Sequence, residues 1–132
     1  MKNFIIAGLI AGIVSGIVMT IFHISGLWEL FSILPFIWPV EKQIYALSNI
    51  THFTIWGIIY GAFYAFFYDK IPGKGIKKGL FYGLIIWIIA PLHNAGVMAM
   101  YAYYLDAIPY TFATFFSIGI VYGIVLGYLY KK

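Results

Sequence analysis

The charged residues of this chain are few, and their positions divide it into long apolar stretches. Only 12 of 132 residues are charged, eight lysines and four acidic residues. They leave uncharged stretches of 26, 26, 27 and 24 residues. A helix needs about 20 apolar residues, at 1.5 Å of rise each, to cross the apolar core of a bilayer. Each of the four stretches is therefore long enough to span a membrane.

These stretches predict an all-α protein, an integral membrane four-helix bundle formed as a single transmembrane domain over residues 1–132. We expect spans at about 4–25, 44–68, 79–101 and 109–130. The segment at about 28–41 contains two prolines and two tryptophans, and its uncharged stretch is only 11 residues long. Proline ends a helix and tryptophan favours the headgroup level, so we expect an interfacial segment there. The first span is too long for a signal peptide and lacks a cleavage motif, so we expect it to be retained.

The composition excludes several classes of function. Hydrophobic residues make up 64% of the chain and charged residues 9%, against about 25% charged in soluble domains. Cysteine is absent, which excludes disulfides, thiolate metal sites and thiol catalysis. The net charge of +4 does not indicate a nucleic-acid partner, because the lysines flank apolar segments. No predicted span contains a carboxylate and no catalytic motif is present, so we do not expect an enzyme.

The lysines also predict the orientation of the spans. In a four-span arrangement, seven of the eight lysines fall on one side of the membrane, and only Lys42 falls on the other. Lysine and arginine are enriched in cytoplasmic loops. We therefore expect a multi-pass protein of the cell (inner) membrane, with both termini and the 69–78 loop in the cytoplasm.

Glycines recur every four residues in all four predicted spans. The positions are Gly8, Gly12 and Gly16; Gly57 and Gly61; Gly79 and Gly83; and Gly119, Gly123 and Gly127. In lipid, helices associate through close backbone approach at small residues, so we predict glycine-zipper packing at these positions. Four glycine faces exceed the needs of one bundle, which favours a homo-oligomer or a subunit of a larger membrane complex.

The second and fourth spans resemble each other. Residues 57–70 and 119–132 align without gaps and are identical at six of fourteen positions. The first and third spans share a weaker pattern around Gly8 and Gly79. This similarity predicts a duplicated helical hairpin, whose two halves are related by a pseudo-twofold axis along the membrane normal.

Histidines and other polar residues are concentrated in the outer half of the predicted bundle. At 1.5 Å per residue, His52 lies about 24 Å and His93 about 21 Å from the cytoplasmic ends of their spans. His23 lies about 30 Å from its own end. The candidate residues of this polar pocket are His52, His93, His23, Asn94, Thr51 and Thr114.

Several interpretations of the histidines remain open. His52, His93 and His23 can hold a metal ion, since imidazole binds zinc, copper and iron. Two level histidines can also hold a haem. The two other interpretations are a pocket of a channel or transporter for a small solute, and histidines that only hydrogen-bond between helices. We expect a structural or binding subunit with a histidine-bearing pocket.

Helical phase limits a shared histidine site. The side chain of His52 points about 140–180° away from Gly57 and Gly61. If the glycine faces line the interior of the bundle, His52 faces elsewhere and a three-histidine cluster fails. If the second span presents its glycines to another subunit, His52 faces the interior.

Part of the chain resembles a known protein family. Thr51-His52, Ile71-Pro72, the Gly79-x-x-x-Gly83 spacing and His93 are similar to the pattern of YagU-like inner-membrane proteins. The resemblance covers roughly residues 50–93. It implies a multi-span inner-membrane protein and no particular substrate. His52 and His93 are the positions it carries over as candidates.

Overall fold

The chain forms four α-helices in a computed structural model, which describes residues 3–25, 42–98 and 104–132. They are α1 (Phe4–Ile24), α2 (Lys42–Phe67), α3 (Gly75–Met98) and α4 (Tyr104–Leu129), and the described residues contain no strand. The predicted all-α class is confirmed. The predicted interfacial segment at 28–41 lies outside the described residues.

Local signals explain where the helices begin and turn. Asn3 precedes α1, and its side-chain oxygen accepts hydrogen bonds from the backbone N–H groups of Ile5 and Ile6 at 3.0 and 3.4 Å. Such a cap satisfies N–H groups that have no partner within the helix. The connection from α2 to α3 reverses the chain through Gly73 (φ 93°) and Gly75 (φ 53°), where a side chain would be strained. This geometry lets α3 begin at Gly75, earlier than the predicted span.

The helices associate as two glycine-packed hairpins, α1 with α2 and α3 with α4. A Cβ atom added at Gly12 would lie 2.5 Å from the Cα atom of Thr54 on α2. A Cβ atom added at Gly79 would lie 2.7 Å from the Cα atom of Gly127 on α4. Only glycine permits such an approach, because both neighbours are backbone atoms.

The glycines of each helix therefore meet backbone within the same chain. This holds for Gly8, Gly12, Gly16, Gly57 and Gly61 in the first hairpin, and for Gly79, Gly83, Gly119, Gly123 and Gly127 in the second. Each of these ten glycines therefore packs against the neighbouring helix of its own hairpin. The predicted homo-oligomer or larger membrane complex remains a prediction.

The two hairpins are joined asymmetrically. α1 lies close against α4, whereas the backbones of α2 and α3 stay further apart along the described residues. A second stripe of small, fully buried residues on α1 explains the close contact: Ala7, Ala11 and Ser15. When the sequences of α1 and α3 are aligned with Gly8 at Gly79, the positions of these three small residues correspond to larger buried residues on α3. They are Lys78, Tyr82 and Ile86. These side chains hold α2 away from α3.

Many large apolar side chains lie on the outside of the bundle. Tyr64, Tyr122 and Ser15 are among the fully buried residues, while many Ile, Leu and Phe side chains on all four helices are exposed. Two segments of the described residues, Phe4–Phe22 and Ala46–Phe67, are long and apolar enough to cross a membrane. A shorter apolar segment covers Phe115–Leu129.

Candidate functional site

The separation of α2 from α3 leaves an open groove of about 290 Å³ between them, with α4 behind it. We call this the α2–α3 groove. Among the described residues, its lining is aromatic and aliphatic except for one imidazole: His52, Phe53, Trp56, Tyr60, Phe63, Ile89, Ala90, Phe115 and Ile118.

Tyrosines close the groove towards the α2–α3 loop. The hydroxyl of Tyr82 on α3 donates a hydrogen bond to the backbone carbonyl oxygen of Tyr60, over 2.8 Å. Beyond it, the ring of Tyr64 lies 5.0 Å from Tyr82 and 5.8 Å from Tyr130, between ring centroids. These rings fill the space between the hairpins on the loop side. The groove therefore remains open only in the half that contains His52.

A second tyrosine ties α4 to α2 beside the groove. The hydroxyl of Tyr122 donates to the backbone carbonyl oxygen of Phe53 over 2.6 Å. The rings of Tyr122 and Tyr60 make an edge contact with their centroids 5.3 Å apart. Within the hairpin α3–α4, the indole N–H of Trp87 donates to the carbonyl oxygen of Phe112 over 2.9 Å. Each bond satisfies a polar group that would be costly to leave unpaired in an apolar setting.

These tyrosines were not among the predicted site residues. A sequence signal for them exists, since Tyr60, Tyr82 and Tyr122 each stand immediately before a glycine of the repeated spacing. On a helix, the residue before a packing glycine lies about 100° from it. It therefore reaches a different neighbour from the one that the glycine contacts.

His52 lies on the face of α2 opposite the glycines. Its side chain is exposed, and its ring contacts Phe53 and Trp56, with centroid distances of 5.3 and 6.3 Å. The imidazole forms no hydrogen bond with a described residue. Gly57 and Gly61 pack against α1 on the other side of the helix. The glycines of α2 therefore face another helix of the same chain. In this arrangement, helical phase predicts that His52 faces away from the glycine-packed interface, as observed.

The other predicted pocket residues are placed only in part. Thr51 is exposed and does not line the groove. His23 belongs to α1, His93 and Asn94 to α3, and Thr114 to α4, but their side chains lie outside the described residues. Among the side chains that the structure describes, no group of three or more His, Asp or Glu is gathered to hold a metal ion. The metal or haem site therefore remains a prediction.

In the sequence, Lys78 indicates only the orientation of the spans. In the structure, its side chain also contacts the end of α2. Its side chain is buried, and its ammonium group donates to the backbone carbonyl oxygen of Tyr68 over 2.6 Å. The same nitrogen lies 4.0 Å from the centroid of the Tyr68 ring. Tyr68 follows the last residue of α2, where carbonyl groups lack partners within the helix and a cation is favourable. Lys78 thus caps α2 from the first turn of α3.

An exposed ion pair joins the same end of α2 to the end of α4. The ammonium group of Lys132 donates to a carboxylate oxygen of Asp69. This hydrogen bond raises the pKa of Lys132. Because both side chains are exposed, solvent screens the pair and its contribution to stability is small.

Comparison with known proteins finds no matching protein family, no matching curated protein and no matching solved structure.

Proposed function

We propose that this chain is an integral membrane protein with four spans and both termini in the cytoplasm. We further propose that the α2–α3 groove is its functional site, where a small apolar molecule binds after entering from the bilayer. In this proposal the protein is a binding subunit rather than an enzyme. The observation that carries it is an open, largely aromatic groove with one imidazole, set in an apolar outer surface.

The distribution of apolar side chains supports the membrane setting. Within Ala46–Phe67, only 22% of the most apolar window is buried. Ile55 and Phe66 on α2 are exposed by 55% and 78%, and Ile89 on α3 by 60%. A core helix of a soluble protein buries such residues, and soluble monomers rarely expose large contiguous apolar surfaces. A bilayer covers them without cost.

The packing between helices supports the same setting. Lipid tails are as apolar as leucine, so helices in a bilayer gain little from burying large aliphatic residues against one another. They associate instead through small residues and hydrogen bonds. The contacts of Gly12 and Gly79 with opposing backbone and the bonds from Tyr82 and Tyr122 between helices are of these two kinds.

The position of the groove supports binding from the bilayer. Phe63 on α2 and Ile89 on α3 line the groove and are more than half exposed, so they stand at its opening. Both belong to the apolar outer surface. A molecule dissolved in the bilayer therefore reaches the groove sideways, without crossing the headgroups.

Binding is tested by extracting the purified protein with organic solvent and identifying the molecules it carries by mass spectrometry. Ala90 lies in the wall of the groove and is buried, so Ala90→Leu fills part of the space. Ala62→Leu on α2 is the matched control, because Ala62 does not line the groove. We expect a stoichiometric apolar molecule with the native protein and the control, and its loss with Ala90→Leu. Identical extracts from all three proteins would contradict the proposal.

A further inference from the structure

We infer that the α2–α3 groove binds the flat, carbonyl-bearing ring system of a lipid-soluble quinone, an inference that rests on the proposed function. The ring system lies between the aromatic walls, His52 donates a hydrogen bond to a carbonyl oxygen, and the apolar tail extends into the bilayer. Four features of the groove support this assignment: its volume, the residues of its walls, its polar group and its opening to the bilayer.

The volume of the groove suits two fused rings. An apolar cavity of about 150 Å³ holds one benzene molecule. The α2–α3 groove has about twice that volume, 290 Å³. A haem contains four pyrrole rings within one macrocycle and does not fit whole into this space. A naphthoquinone ring system does.

The walls of the groove favour a flat aromatic molecule over an acyl chain. Among the nine lining side chains that the structure describes, five are the aromatic rings of Phe53, Trp56, Tyr60, Phe63 and Phe115. Trp56 and Tyr60 stack with an angle of 29° between their planes and 5.6 Å between centroids, so ring stacking already occurs in this wall. Aromatic rings attract one another most in offset-stacked or edge-on arrangements. A planar ring system gains both kinds of contact here.

The imidazole of His52 supplies the polar contact. A neutral imidazole carries one N–H donor and one acceptor nitrogen. In this structure it forms no hydrogen bond with a described residue, although two aromatic rings fix its surroundings. Away from water, an N–H group is favourable only when it has an acceptor, so a ligand that offers an acceptor oxygen is preferred. Quinone carbonyl oxygens are such acceptors, whereas a hydrocarbon tail offers none.

The closed end of the groove limits how deep a ligand lies. Tyr82 bonds to the backbone of Tyr60, and Tyr64 fills the space beyond it. A ring system that enters past Ile89 therefore lies in the part of the groove that His52 lines. Its tail has one direction left, outwards into the bilayer.

The experiment measures binding of two probes to the full chain in lipid nanodiscs. The probes are menadione, a methylated naphthoquinone, and methylnaphthalene, which has the same rings without the carbonyl groups. Tryptophan quenching is measured in the native protein and in Trp56→Phe, and because three other tryptophans also fluoresce, the difference between the two reports on the groove. We expect saturable binding of both probes to the native protein, with menadione bound more tightly.

Variants separate the hydrogen bond from the fit of the rings. We expect His52→Ala to weaken menadione binding about tenfold, as loss of one hydrogen bond implies, and to leave methylnaphthalene binding unchanged. Retained methylnaphthalene binding shows that the variant still folds. Thr51→Ala is the matched control, because Thr51 is adjacent to His52 but outside the groove, and it should bind both probes normally.

Each negative result of these experiments contradicts a different part of the proposal. Equal affinity for both probes, unchanged by His52→Ala, would overturn the quinone inference and leave binding of an apolar molecule in place. Absence of binding for both probes, with a phospholipid extracted from the native protein but not from Ala90→Leu, would show an acyl-chain site and would also overturn it. If no molecule is extracted and neither probe binds, the proposed function fails as well.

Discussion

The hydroxyl of Tyr82 on α3 donates a hydrogen bond to the backbone carbonyl oxygen of Tyr60 on α2, although the backbones of these two helices make few close contacts along the described residues. The position of Tyr82 corresponds, in the other hairpin, to that of the fully buried Ala11. Where α1 has the small residue, α4 approaches it closely. Where α3 has the tyrosine, α2 is held away, and the α2–α3 groove lies just beyond the ring.

Substitutions at Tyr82 distinguish the hydrogen bond from the ring. We expect Tyr82→Phe to lower the free energy of unfolding by about 0.6 kcal/mol, the average for hydrogen bonds between membrane helices. Tyr82→Ala also removes a buried ring and should cost about 3–5 kcal/mol. Unfolding in mixed detergent micelles measures both values. If Tyr82→Ala is no more destabilising than Tyr82→Phe, the ring does not hold the helices apart.

The role of Lys78 as a cap of α2 is tested against its neighbour. Lys77 is exposed and Lys78 is buried against the carbonyl oxygen of Tyr68, so Lys77→Met and Lys78→Met remove the same charge from the same turn. We expect Lys78→Met to lower the free energy of unfolding by about 1.5–3 kcal/mol, the range for a hydrogen bond to a charged group. Lys77→Met should have little effect. If the two variants lose the same free energy of unfolding, Lys78 does not act as a cap of α2.

Glycine at position 12 is required by the backbone of α2. The added methyl group of Gly12→Ala would lie 2.5 Å from the Cα atom of Thr54, so the helices must separate. We expect a loss of about 1–3 kcal/mol, the range for overpacking. Ile17→Val, a change of similar size on the exposed face of α1, is the control. Thermal stability equal to that of the native protein in both variants would refute glycine-dependent packing.

The histidines allow a direct comparison between the shared-site hypothesis and the groove. A shared metal or haem site requires that His52→Ala and His93→Ala each abolish binding of the same cofactor. If His52 acts within the groove alone, His52→Ala leaves the metal content and the visible absorption spectrum of the purified protein unchanged. Elemental analysis and absorption spectroscopy decide between them. A haem or metal signal lost in both variants would favour the shared site.

The number of helices could be predicted from the sequence because it depends on local properties. Charges are costly within an apolar span, so the twelve charged residues mark the ends of the helices almost by themselves. The spacing of the glycines likewise indicates which face of each helix admits close contact. Neither signal requires knowledge of which helix lies beside which.

The groove could not be predicted because it depends on a difference between the two hairpins. The spacing of the glycines is the same in both, but the residues beside them are Ala11 in one and Tyr82 in the other. This difference affects the packing only because α1 lies against α4 and α3 lies beside α2, and the sequence does not show which helices are neighbours. The burial of Lys78 is similar, since its partner is a backbone carbonyl group that no sequence pattern marks.

The proposed function requires that α2 lies in a bilayer and that the α2–α3 loop lies in the cytoplasm. Because the chain has no cysteine, single cysteines at Ile55 and Lys74 can be labelled individually with a membrane-impermeant thiol reagent. Both positions are exposed on the protein itself, so water would reach both if no membrane covered them. We predict no labelling of either position in intact cells, labelling at position 74 only after permeabilisation, and labelling at position 55 only after denaturation. Rapid labelling of position 55 in native membranes, or of position 74 in sealed cells, would contradict the account.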